Sequence, residues 1–308
     1  DRKDMDKQPR GSRASLHDEV TATIIAQLEE GCLPWVQPWQ TDDAAFGLPR
    51  NAVTGRPYSG INILILWNAL FGAGYATQKW LTYRQAMALG GSVRKGESGV
   101  GICYADTFVP KGADGQAEVG ADGGPRHIPF LKRFTIFNID QCVDLPEDFY
   151  GEDTGADPAI IVPHAETLIK ASGADIRIGG SLAYYAPGED RIHVPRRQLF
   201  GAPIDYYRTV LHELGHWTGH ARRLDRFHGV AAIDPQHWYA REELVAEMAA
   251  AFLCAELGII PTVRHADYIG SWLAILRQDN RAIFRAAAQA SKAARYLMAF
   301  LAREESGA

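Results

Sequence analysis

The stretch His-Glu-Leu-Gly-His at residues 212–216 decides the class of the chain's second half. On a helix, His212 and His216 lie one turn apart on the same face, so both imidazoles can bind one metal ion. Glu213 follows the first histidine and can act as a general base on a water at the metal. The alternative is a surface helix that carries two histidines by chance, and the flanking residues favour the metal site.

The flanking pattern predicts a helix over residues 205–220. A third histidine of the metzincin kind would stand at position 222, which is Arg222, so that class is excluded. His220 lies one turn beyond His216, and a continuous helix carries it away from the metal. We therefore expect His220 to orient a ligand or face solvent, not to bind the metal. The buried side of the helix is predicted to consist of Val210, Leu211, Leu214 and Trp217.

A catalytic zinc needs a third protein ligand besides two histidines. Residues 239–258 form a strong helix pattern that ends at a glycine. Within it, Glu243 and Glu247 are four residues apart and share a face. The pattern Glu-x-x-Ala-Glu resembles the second helix of gluzincin-like peptidases. That resemblance implies that Glu243 binds the metal and that Glu247 orients a ligating histidine, with Glu242 and Glu247 as alternative ligands.

The whole-chain composition is that of a globular protein of ordinary kind. The chain has 308 residues, enough for two domains, and a net charge of −5. Its longest apolar run is too short to span a bilayer and no signal-peptide pattern opens it, so we expect no membrane partner. Its four cysteines are widely spaced and form no C-x-x-C pair. This pattern is typical of a protein in the reducing cytoplasm, and it argues against a metal site made of cysteines.

Hydrophobic periodicity predicts an α+β fold in two domains, each a small sheet with helices. We expect a disordered tail at residues 1–14, a first domain at 15–145, a linker at 146–158 and a second domain at 159–308. Besides the two metal helices, the pattern predicts helices over residues 16–30, 59–71, 82–90, 165–171 and 267–304. It predicts strands over residues 100–109 and 128–137, and three short strands near residues 176, 184 and 193.

Several longer patterns resemble the ArdC family of plasmid antirestriction proteins. In the first half they are Asn-Ala-Val-Thr-Gly-Arg-Pro-Tyr at 51–58, Trp-Leu-Thr at 80–82 and Gly-Gly-Ser-Val-Arg-Lys-Gly-Glu at 90–97. In the second half they are residues 212–220 and Glu-Glu-Leu-Val-Ala-Glu at 242–247. The first-half patterns also resemble a region of some plasmid primases. The resemblance extends from about residue 15 to residue 301.

The resemblance implies a first domain that binds single-stranded DNA and a second, zincin-like metallopeptidase domain related to the SprT proteins that act on DNA-bound protein. It also implies a role in protecting incoming plasmid DNA from restriction. The expected cofactor is Zn²⁺, with Mn²⁺ or Co²⁺ as alternatives. The expected partners are single-stranded DNA and a restriction protein or DNA-bound protein as peptidase substrate.

The local charge supports the DNA expectation. Residues 46–105 contain six basic residues and one acidic residue, and aromatic residues alternate with them. Binding of single strands needs a basic groove and aromatic rings on which bases stack. The residues expected to contact DNA are Arg50, Asn51, Arg56, Tyr58, Asn62, Lys79, Trp80, Arg94 and Lys95.

Three hypotheses for function follow. The first is a DNA-binding antirestriction protein in which Glu213 serves peptide hydrolysis. The second is a DNA-covering protein whose metal site is not catalytic. The third is a metalloprotease without a DNA partner. A hydrolase also needs a donor to the transition state, and the candidates are His220, His228, His237 and Tyr239.

Overall fold

The computed structural model describes residues 15–36, 47–110, 116–119, 124–150, 158–228, 237–261 and 266–306. The predicted tail at 1–14 and residues 151–157 of the predicted linker lie outside these ranges. Within them, no helix combines the length and the apolar character that crossing a membrane requires.

The first half of the described chain mixes helices and strands, and the second half places its strands together before a run of helices. The predicted α+β class is confirmed. The helices are α1 (Leu16–Glu29), α2 (Ile61–Ala73), α3 (Tyr83–Ala88), α4 (Pro158–Ser172), α5 (Pro203–Trp217), α6 (Trp238–Leu257), α7 (Ile269–Gln278) and α8 (Ala282–Glu305). The strands are β1 (Arg50–Asn51), β2 (Lys79–Leu81), β3 (Ser92–Val93), β4 (Val100–Phe108), β5 (Ile128–Asn138), β6 (Cys142–Val143), β7 (Asp175–Ile178), β8 (Tyr184–Ala186) and β9 (Arg191–Val194).

The first half is built on a four-stranded sheet in the order β1-β2-β5-β4. Only the β1–β2 pair is parallel, and β4 and β5 form a long antiparallel ribbon with Val100 opposite Ile136. Leu66 and Leu70 of α2 pack on the sheet with Trp80. The short helix α3 begins with a capping box between Thr82 and Gln85, as its sequence predicts.

The main hydrophobic core joins the two halves of the chain. The ring of Trp35, after α1, lies edge-on to Trp272 of α7 at 5.5 Å. Trp67 of α2 meets Phe252 of α6 in the same way at 5.8 Å. The Gly60 N–H at the start of α2 donates to the Ser291 hydroxyl of α8 at 2.7 Å. Helices α1 and α2 are therefore packed into the same core as α6, α7 and α8.

The second half places a three-stranded sheet, ordered β7-β9-β8, beside α5. Helix α5 starts with Pro203 in its first turn, where the missing N–H costs nothing. It ends at Trp217, one turn earlier than predicted. Beyond it the Gly219 N–H bonds the His216 carbonyl three residues back, and the Thr218 hydroxyl bonds the Gly215 carbonyl. The predicted helix at 267–304 is likewise broken into α7 and α8 at Asp279, whose backbone is extended.

Candidate metal centre

Helices α5 and α6 cross at a glycine. A Cβ built on Gly215 would lie 3.3 Å from the Ala246 Cα, tighter than an ordinary van der Waals contact. The absence of a side chain on Gly215 therefore lets the two backbones approach closely. This approach brings the histidines of α5 next to the glutamates of α6.

Three side chains converge at the crossing. The ligand atoms of His212, His216 and Glu243 all lie within 4.8 Å of one another, and all three residues are buried. His212 Nε2 is 3.5 Å from Glu243 Oε2, and His216 Nε2 is 3.3 Å from Glu243 Oε1. Two imidazoles and one carboxylate are the donor set of a catalytic zinc site with an open fourth position.

Each histidine has another glutamate near its second ring nitrogen. His212 Nδ1 lies 3.6 Å from Glu247 Oε1, and His216 Nδ1 lies 3.4 Å from Glu242 Oε1. A carboxylate on the second ring nitrogen fixes the tautomer and the ring orientation of a ligand histidine. Glu247 lies beside His212 and Glu242 beside His216, so either carboxylate could orient the neighbouring ring.

Arg226 binds Glu242, a contact that was not predicted from the sequence. Its guanidinium, only 5% exposed, donates to Glu242 Oε1 at 2.6 Å and to Oε2 at 3.2 Å. It also donates to the Thr218 hydroxyl and the Gly215 carbonyl, each at 2.7 Å. One arginine therefore ties the end of α5 to the carboxylate that orients His216.

The charges of this cluster shift its protonation equilibria. Burial lowers the pKa of His216, but the carboxylates of Glu242 and Glu243 outweigh it and raise the pKa to about 10. Burial raises the pKa of Glu243, and the two histidines reverse this and hold it well below the usual range. The metal-free cluster is thus stabilised by a proton on His216, which a bound metal ion would replace.

A cleft of about 220 Å³ opens onto the three converging side chains. Glu213, which is 4% exposed, lines it next to the histidines. Tyr239 also lines it, and its hydroxyl bonds the Glu243 carboxylate. Strand β8, at one edge of its sheet, contributes Tyr184 and Tyr185.

The four candidate donors to a transition state differ in position. Tyr239 lines the cleft. His220 lies in the turn after α5 and contacts Asp190, 3.8 Å from its Nδ1, and the Arg222 N–H. Its expected role behind a ligand does not match these contacts, because α5 ends before it. His228 lines a neighbouring cavity and His237 immediately precedes α6.

Comparison with known protein families finds two matches along the chain. Residues 163–289 match the model of a zincin-like metallopeptidase. Residues 14–137 match the N-terminal domain of anti-restriction factor ArdC. The crystal structure of antirestriction protein ArdC from plasmid R388, in metal-free form, is 40% identical with a TM-score of 0.78 and covers 94% of this chain and 99% of that one. The chain belongs to the ArdC antirestriction family.

Other relatives extend this picture. The Mn(II)-bound structure of R388 ArdC matches with a TM-score of 0.76 at 40% identity, over 94% of this chain and 99% of that one. The uncharacterized protein y4eC of Sinorhizobium fredii is 37% identical over 96% of this chain and 94% of its own length. A DNA primase TraC of Escherichia coli is 39% identical over 92% of this chain. This chain spans only 27% of that primase.

The ArdC-like first half exposes only part of the residues expected to contact DNA. Arg50, Arg56, Arg94 and Lys95 have exposed side chains. Arg94 is also paired with Glu97 at 3.3 Å. These four of the expected contacts are therefore placed where a phosphate could reach them.

The other expected contacts serve the fold. Trp80 is fully buried, so the expectation that bases stack on it is wrong: β2 is an inner strand, and α2 covers the ring. The Asn62 side-chain amide donates to the Cys103 carbonyl and accepts from the Cys103 N–H, each at 2.8 Å. Asn51 accepts two turn N–H groups, Tyr58 is half-buried, and Lys79 bonds the Phe149 carbonyl at 3.4 Å.

Exposed aromatic rings occur elsewhere in this half. Tyr83, the first residue of α3, is 53% exposed and precedes the exposed Arg84. Tyr104 and Phe134 on the β4–β5 ribbon are 48% and 46% exposed, with ring centroids 5.6 Å apart. The sequence offered a weak signal for Tyr83, because it interrupts a basic segment.

Proposed function

We propose that the chain is an antirestriction protein that binds single-stranded DNA and hydrolyses peptide bonds at a zinc ion in the cytoplasm. The convergence of His212, His216 and Glu243 within 4.8 Å, beside Glu213, carries the peptidase part. Those donors suit Zn²⁺, and Mn²⁺ or Co²⁺ can use the same ligands. A restriction protein or another DNA-bound protein is the proposed substrate.

The residues of the cleft divide the work of hydrolysis. A metal ion bound there supplies a water that is acidic enough to react near neutral pH. Glu213 accepts a proton from that water and delivers it to the leaving amine. Glu242 and Glu247 keep the two imidazoles in their ligating orientation. Tyr239 is the proposed donor to the developing oxyanion, since its hydroxyl already reaches Glu243.

The decisive variant for this part is Glu213→Gln in the full chain. Removing a general base lowers a rate by about 10²–10⁴-fold. We expect Glu213→Gln to bind zinc like the unchanged chain and to lose cleavage of a casein probe to that extent. The exposed Glu189→Gln serves as the matched control. Cleavage by Glu213→Gln at the unchanged rate would disprove the general-base role.

The DNA part is supported by the exposed side chains of Arg50, Arg56, Arg94 and Lys95 and by Tyr83, which we propose as a stacking residue in place of Trp80. Cations neutralise phosphates, and each stacked base contributes about 1–3 kcal/mol. Fluorescence anisotropy of a labelled single-stranded oligonucleotide, with a duplex control and a salt titration, tests this part. We expect preference for the single strand and binding that weakens steeply with salt.

Two outcomes separate the proposal from its rivals. Antirestriction by Glu213→Gln at full strength would leave DNA covering as the function and make hydrolysis dispensable. The absence of oligonucleotide binding at low salt would remove the DNA assignment and leave a metalloprotease.

A further inference from the structure

A second cavity of about 330 Å³ lies beside the metal cleft, and nothing described so far uses it. The two spaces share three wall residues, Phe227, Trp238 and Glu242. Helix periodicity explains the division of α6 between them. Trp238, Arg241, Glu242 and Val245 follow the spacing i, i+3, i+4, i+7 and face the cavity, whereas Tyr239 and Glu243 face the cleft.

The opposite wall comes from α8 and is equally regular. Ala282, Arg285, Ala286 and Gln289 follow the same helical spacing and line the cavity. Helices α6 and α8 pack closely along much of their length, but at these residues they leave open space between them. Protein interiors are close-packed, with few voids larger than a water molecule. A space of this size that adjoins a reaction cleft is therefore suited to receive part of a ligand.

The lining determines the kind of ligand. Leu244, Val245 and Ile275 form an apolar floor and are each less than a tenth exposed. Arg226 in the wall is already paired with Glu242. Arg241 and Arg285 both contact Asp279, which lies outside the lining, and Asp225 is a carboxylate of the rim. Each arginine of the lining thus already has a carboxylate partner, so shape and apolar contact decide what binds.

The volume limits the size of the ligand. Pockets for whole small molecules occupy about 300–1,000 Å³, and this cavity is at the lower end. A single leucine, methionine or phenylalanine side chain fits it, while the rest of the ligand stays in the cleft. Trp238 and Glu242 line both spaces, so the part of a ligand in the cavity and the part in the cleft would lie beside the same two side chains.

We propose that this cavity is the specificity pocket of the peptidase and takes a bulky apolar side chain adjacent to the bond that is cleaved. The inference rests on the proposed peptidase function and names its substrate class: peptide segments with leucine, methionine or phenylalanine at one fixed position. Such a segment is buried in a folded protein, so a target must be unfolded or flexible at the site of cleavage.

The test uses zinc-loaded full chain with the Glu213→Gln change, so that binding is measured without turnover. The probes are two peptide hydroxamates that differ only in an isobutyl group or a hydrogen beside the hydroxamate. Burying the isobutyl group should give about 10- to 100-fold tighter binding by calorimetry. Equal affinities for the two probes would overturn the proposal while leaving the metal function intact.

A filled-pocket variant sharpens the result. Ala286→Phe occupies the cavity from α8, and Ala299→Phe on the exposed side of the same helix is the matched control. We expect Ala286→Phe to reduce the preference for isobutyl to within about 3-fold, and the control to keep it. If Ala286→Phe does not fold, Ala282→Leu narrows the same wall.

The remaining outcomes are equally informative. A raised Tm in Ala286→Phe with unchanged preference would show that the cavity is only a packing defect. If neither hydroxamate binds, the proposal of a zinc peptidase site is refuted, and the specificity pocket that depends on it is refuted as well. Cleavage of a library of peptides of known sequence by the unchanged chain should show the same apolar preference, and Ala286→Phe should shift it towards alanine and glycine.

Discussion

Replacing Glu242 by glutamine should weaken metal binding without removing a ligand. In the structure Glu242 Oε1 is 3.4 Å from His216 Nδ1 and 2.6 Å from Arg226. Glutamine keeps the length and one acceptor oxygen, but it removes the negative charge. The His216 ring then loses the carboxylate that fixes its tautomer, while Arg226 keeps its bonds to Thr218 and Gly215.

Two magnitudes follow from this geometry. Loss of a carboxylate behind a metal-binding histidine reduces metal affinity by about 10- to 100-fold. Removing one partner of a buried ion pair costs about 3–5 kcal/mol of folding stability. We expect less than that here, because the glutamine oxygen still accepts from Arg226.

The assay is a zinc titration against a fluorescent chelator, together with urea unfolding of the metal-free chain. Glu189→Gln, which breaks an exposed pair with Arg191, is the control and should match the unchanged chain in both. A zinc Kd for Glu242→Gln within about 2-fold of the unchanged value would refute the idea that Glu242 orients His216.

Three further predictions concern the crossing, the protonation of the site and the first-half sheet. Gly215→Val should destabilise the chain by about 1–3 kcal/mol, seen as a lower urea midpoint, since even a Cβ there meets Ala246 at 3.3 Å; an unchanged midpoint would contradict the close crossing. Because the pKa of His216 is raised to about 10 in the folded chain from its usual 6.5, its contribution to stability is complete below about pH 6.5 and is lost as the pH rises through about 10. Urea unfolding in EDTA, repeated across this pH range, should show the free energy of unfolding falling as the pH rises, and the fall should be smaller in Glu242→Gln. The same dependence on pH in both chains would contradict the role of Glu242 in raising the pKa of His216. Trp80→Ala should cost about 3–5 kcal/mol in thermal unfolding, whereas Tyr83→Ala should leave stability unchanged and weaken oligonucleotide binding, and the reverse pattern would return the stacking role to Trp80.

Local spacing made the metal helices predictable. His212 and His216 had to share a face, and the pattern over residues 239–258 gave nearly the observed bounds of α6. The third partner, Glu243, came from resemblance to another peptidase class, since spacing alone did not separate it from Glu242 and Glu247. The structure brings Glu243 to the two histidines and puts the other two acids behind them.

Contacts distant in sequence were not predictable. Arg226 lies in a segment without regular pattern, and only the fold brings its guanidinium to Glu242. Trp80 looked available because its neighbours are basic, yet burial of a strand residue depends on the helix that covers the sheet. His220 was placed by extending α5, but the chain leaves the helix after Trp217.

The tryptophan contacts between the two halves limit how a gene for this chain can be divided by recombination. Trp35 against Trp272 and Trp67 against Phe252 mean that neither half has a finished surface of its own. A gene fusion that copied only one half would leave large aromatic rings in water and invite aggregation. Recombination is therefore expected to keep the two halves together. The two TraC primases agree with this, because each aligns with nearly all of this chain.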